Sequence, residues 1–143
     1  MAPPAQRPNN PPAPLDAHLP LDRRRALAEG RDLPERENGT ALFADLSGFT
    51  PLMERLANSL GPQRGAEELS RLLNGLFAPL IDQVHRHGGS IISFGGDALT
   101  CWFPSLTLPA SGQRSAAACA LAMERHVSTF PAETAAGPAA LAM

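Results

Sequence analysis

Apolar positions along the chain follow two periods, and the switch between them marks out the elements. Residues 40–46 (TALFADL) form a short apolar run with one acid inside it, and predict a buried strand. Ser47-Gly48 breaks that strand. Thr50-Pro51 has the pattern of a helix opening, with Thr as N-cap and Pro at the first helical position. Gly61-Pro62 stops this helix after Leu60. Then Leu69, Leu72, Leu73, Leu76, Phe77, Leu80, Ile81 and Val84 recur at spacings of three and four. That spacing predicts an amphipathic helix over about 65–87, kinked near Pro79 and ended by Gly88-Gly89. Residues 90–94 (SIISF) read as a strand, Gly95-Gly96-Asp97 as a tight turn, and 98–103 (ALTCWF) as the returning strand of a hairpin. An Ala-rich helix over about 113–130 follows, and a short helix over 21–30, stopped by Gly30, precedes the set.

The order strand, helix, helix, strand, strand, helix predicts an α+β sandwich. Three strands make a thin sheet with an open edge, so the C-terminal part of the fold is expected to lie beyond Met143. The expected division is a Pro/Ala-rich leader with a short helix over 1–36, the folded part over 37–130, and a low-complexity tail over 131–143.

Composition narrows the function classes. The 143 residues suffice for one domain with a modest core. Twelve basic against fourteen acidic residues give a net charge of −2, which argues against nucleic acid as a partner. No apolar run approaches the roughly 20 residues of a membrane span, and the first twenty residues lack the apolar region of a secretory signal. Cys101 and Cys119 are too few for a disulfide framework, and a reducing cytoplasmic setting is expected. All twelve basic residues are arginine, so chemistry that needs a lysine from this chain is excluded.

Two aspartates carry the candidate chemistry. Asp97 stands in the hairpin turn, where an aspartate is ordinarily just a turn residue. Asp45 is harder to dismiss, because an unpaired carboxylate in an apolar strand is costly. If the first strand lies beside the hairpin, the two carboxylates converge at one sheet edge. With glycine-exposed backbone they would make a hard-cation site suited to Mg²⁺ or Mn²⁺. Beside Asp45, the turn Ser47-Gly48-Phe49-Thr50 leads into a helix N-terminus, whose free N–H groups and dipole suit phosphate. A divalent pair next to a phosphate cradle points to phosphoryl or nucleotidyl transfer.

The segment Phe43-Ala44-Asp45-Leu46-Ser47-Gly48-Phe49-Thr50 resembles the metal-binding motif of class III adenylyl/guanylyl cyclase domains. The resemblance continues through Leu72-Leu73-Asn74, Phe77, Gly88-Gly89 and the hairpin Phe94-Gly95-Gly96-Asp97-Ala98, covering about 38–130. It is nearest to bacterial relatives of the bicarbonate-sensing soluble adenylyl cyclase. The fold implied is a ferredoxin-like class III nucleotidyl cyclase sandwich, truncated at its C-terminal side. The resemblance implies Asp45 and Asp97 as the catalytic, metal-binding aspartates and Leu46 as a carbonyl ligand. It implies Ser47, Gly48, Phe49, Thr50 and Gly96 as nucleotide contacts. The cofactors implied are two Mg²⁺ or Mn²⁺, and the reaction is ATP (or GTP) to the cyclic nucleotide plus pyrophosphate, in the cytoplasm.

Departures bear on the activity expected. Ser93 stands where homodimeric members have a base-reading lysine, and the family's later base-reading and arginine-bearing elements would lie beyond Met143. The chain therefore resembles the metal-bearing half of an asymmetric pair, completed by a second cyclase domain and expected to be inactive alone. A catalytically inactive regulatory domain that binds nucleotide or a partner domain is the alternative. A diguanylate cyclase fits less well, since Ala98 follows Gly95-Gly96-Asp97 where that family has glutamate. His85 and His87 are expected as solvated helix-end residues, Trp102 and Phe103 as core or dimer-face residues, and both cysteines as inert packing.

Overall fold

The computed structural model describes residues 19–105 and 110–143. The extended leader expected over residues 1–18 lies outside the described residues. The chain divides into two units, 1–33 and 34–143. In the first, helix α1 (Leu21–Glu29) ends at a left-handed Gly30 whose N–H donates to the Leu27 carbonyl. This matches the stop expected from sequence.

The second unit runs β1 (Gly39–Asp45), α2 (Phe49–Leu60), α3 (Pro62–Arg86), β2 (Ser90–Gly95), β3 (Ala98–Pro104) and α4 (Ser111–Thr129), then a small ribbon of β4 (Glu133–Thr134) and β5 (Gly137–Pro138). Strands β1, β3 and β2 form an antiparallel sheet in that spatial order. Alternation decides what each face carries. Ala44 on β1 and Leu99, Cys101 and Phe103 on β3 are buried against Leu76, Leu80 and Val84 of α3 and Cys119 and Met123 of α4. Phe43, one residue out of phase, is 75% exposed on the opposite face. Between Ile91 and Ser93 the pairing of β2 slips by one residue, a bulge that leaves Ile92 without a partner in the ladder.

Helix α3 bears out the apolar stripe: Leu72, Leu76, Leu80 and Val84 are buried in steps of four. It begins three residues earlier than expected, because Pro62 is well suited to a first turn and sits there. It also runs through Pro79 as one element. Helix α2 opens on Gly48 rather than on Thr50, which lies inside the first turn, and has no side-chain cap. Where α2 crosses α3, a Cβ on Gly65 would lie 2.9 Å from the Leu56 carbonyl group, so this close approach requires glycine.

Residues 131–143, low in complexity, fold back onto the helix pair. Ala132 joins Leu52, Leu56 and Leu72 in a second small core, and Leu141 packs against both cores. Three polar contacts tie this segment down: Arg55 Nη2 donates to the Pro138 carbonyl (2.9 Å), Arg71 Nη2 to the Glu133 carbonyl (3.2 Å), and the Ala135 N–H to Glu68 Oε1 (3.1 Å).

Two outcomes are expected. Leu76 is fully buried at the sheet–helix interface, so Leu76→Ala should cost about 2–5 kcal/mol, whereas Leu121→Ala, on a 59% exposed side chain, should stay within about 0.5 kcal/mol. Urea unfolding of the two variants checks this. The Glu68 carboxyl is held down to about 2, chiefly by the hydrogen bond from Arg71 and then by that from Ala135. A depressed carboxyl contributes stability that is complete above its ordinary value of 4.5 and disappears as pH falls from there to about 2. Ala135 amide protection should fall across that window, and Glu68→Gln should flatten its pH dependence.

Candidate functional site

The site is built by the register of β1 against β3. Asp45 pairs with Ala98, and one step further the Leu46 N–H donates to the Asp97 carbonyl at 3.2 Å. The strand end that carries Asp45 is thus bonded to the turn that carries Asp97. Asp45 is exposed and Asp97 half-buried. Among the described residues neither carboxylate is engaged in a side-chain hydrogen bond or ion pair. Leu46, by contrast, is buried among the core side chains and leaves only its backbone for polar work.

Ser47 follows, and Gly48 takes a left-handed conformation (φ 89°) that turns the chain into α2. Phe49 and Thr50 form the first turn of that helix, so the backbone at 48–50 belongs to a helix N-terminus. The structure therefore brings Asp45, Leu46, Ser47, Gly48, Phe49, Thr50, Gly96 and Asp97 to one end of the β1–β3 ladder. Beside Gly96, a cleft of about 560 Å³ opens between α3 and β2, lined by Leu73, Asn74, Phe77 and Phe94 among others. Phe77 and Phe94 meet edge to face with ring centroids 6.2 Å apart.

No group of three or more His, Cys, Asp or Glu side chains that could hold a metal occurs among the described residues. Two carboxylates and a backbone carbonyl are nonetheless a hard oxygen set. Mg²⁺ is commonly held by one or two carboxylates, with water and substrate phosphates completing its shell. The donor chemistry at this edge fits such an ion.

The remaining sequence candidates stay outside the site. Cys101 and Cys119 are free and buried, and burial pushes each thiol up to about 11, as inert packing requires. Phe103 is core, while Trp102 directs its indole N–H to Glu37 at 3.3 Å. His87 Nδ1 donates to the Gln83 carbonyl at 2.8 Å and so closes the end of α3. Sequence reasoning missed residues 140–142, which lie on the turn at 47–48. Ser47 and Ala142 exchange backbone hydrogen bonds, and the Ala140 carbonyl sits against Gly48. Their composition (Ala-Leu-Ala) carries no signal of this.

No protein-family model matches the chain. Human adenylate cyclase type 10 is 36% identical to it over 90 residues, which is 59% of this chain but 5% of that protein's length. Among solved structures, the adenylyl cyclase CyaB from P. aeruginosa superposes with a TM-score of 0.51 at 27% identity, covering 62% of this chain and 42% of that one. A bacterial light-regulated adenylyl cyclase superposes over 82% of this chain and 32% of its own, with a TM-score of 0.59; at 17% identity it speaks for the fold alone. No helix among the described residues is long and apolar enough to cross a membrane. Sequence and fold agree: the chain is similar in sequence to the type 10 adenylate cyclases and in fold to class III adenylyl cyclase domains.

Proposed function

We propose that the domain is the metal-bearing half of a paired site that converts ATP to cyclic AMP and pyrophosphate. The observation that carries the reading is the Asp45–Ala98 register with its Leu46–Asp97 bond, which brings two acids without basic partners to one edge, next to a helix N-terminus. Asp45, Asp97 and the Leu46 carbonyl would hold two Mg²⁺ or Mn²⁺. When bound, such ions acidify the ribose 3′-hydroxyl and offset the triphosphate charge. The backbone at Ser47, Gly48, Phe49 and Thr50 would orient the phosphates, and Gly96 would let them approach the hairpin without a side chain in the way. In the reaction the 3′ oxygen forms a bond to the α-phosphorus, its proton departs, and the bond from that phosphorus to the pyrophosphate oxygen breaks. The base pocket would come from a complementary cyclase domain, since this chain has no lysine to read adenine.

The Ser93 position favours a second reading, a regulatory domain that keeps the fold and nucleotide binding without turnover. The two separate cleanly. A wild type inactive with ATP and GTP, yet thermally stabilised by ATP, would establish the regulatory reading.

Two further outcomes are expected. The purified 143-residue chain should form no appreciable cyclic nucleotide by itself, and ATP-dependent cyclic AMP production by it would contradict the paired-site proposal. In the protein assembled with its complementary domain, Asp45→Asn or Asp97→Asn should lower turnover by about 100-fold or more, since several kcal/mol of charge stabilisation is lost. The melting temperature should hold or rise, because neighbouring carboxylates repel one another without a cation. Cyclic AMP assays with Mg²⁺ and Mn²⁺, with thermal melts alongside, check both points. Turnover near wild type in either mutant would remove these aspartates from the mechanism.

A further inference from the structure

The segment that folds back over the helix pair ends on the same turn that the proposed function assigns to phosphate. The Ser47 N–H donates to the Ala142 carbonyl at 2.8 Å, and the Ala142 N–H donates back to the Ser47 carbonyl at 3.2 Å. Next to this bridge, the Ala140 carbonyl lies so close to Gly48 that no Cβ would fit between them. The Ala142 oxygen thus takes the Ser47 N–H, and the Ala140 oxygen fills the space beside the Gly48 Cα where a side chain would stand. A phosphate oxygen entering there would compete with Ala142 for the Ser47 N–H and come near the partial negative charge of the Ala140 oxygen.

We propose that residues 139–143 act as a strap that closes the turn at 47–50 against triphosphate, so that nucleotide entry requires the strap to lift. The inference rests on reading that turn as the phosphate-contacting element. The strap is fixed at its base and meets the turn through a single pair of backbone bonds. Its base is held by Arg55 on the Pro138 carbonyl and by the Glu68–Arg71 pair on the ribbon. Further along, the Ala139 N–H donates to the Ala132 carbonyl at 2.8 Å and Leu141 and Met143 pack against the cores, while Ala140 and Ala142 are exposed and the bridge to Ser47 supplies the polar hold on the turn. The bridge to the turn can break on its own, since Ala140 and Ala142 are exposed, while the anchored base keeps the segment nearby to reclose. A site available for only a fraction of the time shows its intrinsic affinity reduced by that fraction.

The test uses the full chain with two substitutions outside the turn. Ala142→Pro removes the N–H that bonds to Ser47, and Arg55→Ala cuts the base of the strap. Hydrogen exchange at the Ser47 amide reads whether the strap is closed, and titration with ATP and Mn²⁺ reads access to the site. In the wild type the Ser47 amide should be protected. In Ala142→Pro it should exchange about tenfold faster and ATP affinity should rise about tenfold, as expected if the open form is roughly a tenth of the population. Arg55→Ala should shift both in the same direction. Adding Asp45→Asn to Ala142→Pro should remove the gain in affinity while Ser47 stays free. An unprotected Ser47 in the wild type, or continued protection in both variants, would overturn the strap. A freed Ser47 with unchanged ATP affinity would overturn it too, and would leave the nucleotide reading standing. Absence of ATP binding in every form, the freed one included, would bring down the nucleotide reading and the strap together.

Discussion

The antiparallel ladder between β1 and β3 is the constraint on which the rest depends. Side chains alternate along a strand, so one register decides the core and the candidate site at the same time. With Asp45 opposite Ala98, the buried Ala44 falls on the same face as Leu99, Cys101 and Phe103. The same register bonds Leu46 to the backbone of Asp97 and so joins the two acid-bearing ends. A slip by one residue would turn Phe43 and Asp45 into the core and expose Leu42 and Ala44. The cost of burying a charge and losing that apolar area forbids the slip, and in doing so keeps the backbone of the two aspartates at one end of the ladder. Their placement follows from hydrophobic packing and needs no attraction between them.

A second constraint acts through α3. Leu76, Leu80 and Val84 of its stripe serve the sheet side and Leu72 the second core, and its neighbour α2 lies close enough that only a glycine at 65 fits. The two helices then leave a groove that the sheet cannot fill. Ala132, Phe130 and Leu141 fill part of it from the C-terminal side, which makes the folded-back segment a structural member of the small core. Helix α2 has no side-chain cap at its start, and its first turn is reached through the left-handed Gly48. The strand, the turn and the helix entry therefore form one continuous stretch of backbone with polar groups open to whatever lies over them.

Much of this was legible in the sequence, for identifiable reasons. Strong periodicity made α3 readable, because an apolar residue every three or four positions has one good burial solution. Glycine pairs marked the ends of α3 and β2, since few other residues adopt the required turns. The two acids were readable because each interrupts an apolar context. Boundaries were less so: Thr50-Pro51 looks like a helix start, yet Gly48 turns the chain two residues earlier, and Pro62 begins α3 where it was read as a stop. The bulge at Ile92 was invisible, since a one-residue slip leaves no trace in composition. The tail was invisible for a different reason. Alanine and proline carry no periodic signal, and the contacts that fix it come from Arg55, Glu68 and Arg71, residues that read as ordinary solvated charge on their own helices.

The two thiols of the main core give the domain a built-in reporter of its own integrity. Cys101 lies on the central strand and Cys119 on the helix that covers it, and both are fully enclosed. Burial also holds each in its protonated, unreactive form near neutral pH. An alkylating reagent can reach them only when strand and helix separate, so the rate of modification counts openings of this one interface. Partial fraying of the ribbon or of α1 leaves the count unchanged, because neither thiol lies there. Global opening is thus chemically distinguishable from loosening at the periphery, with no label added to the chain.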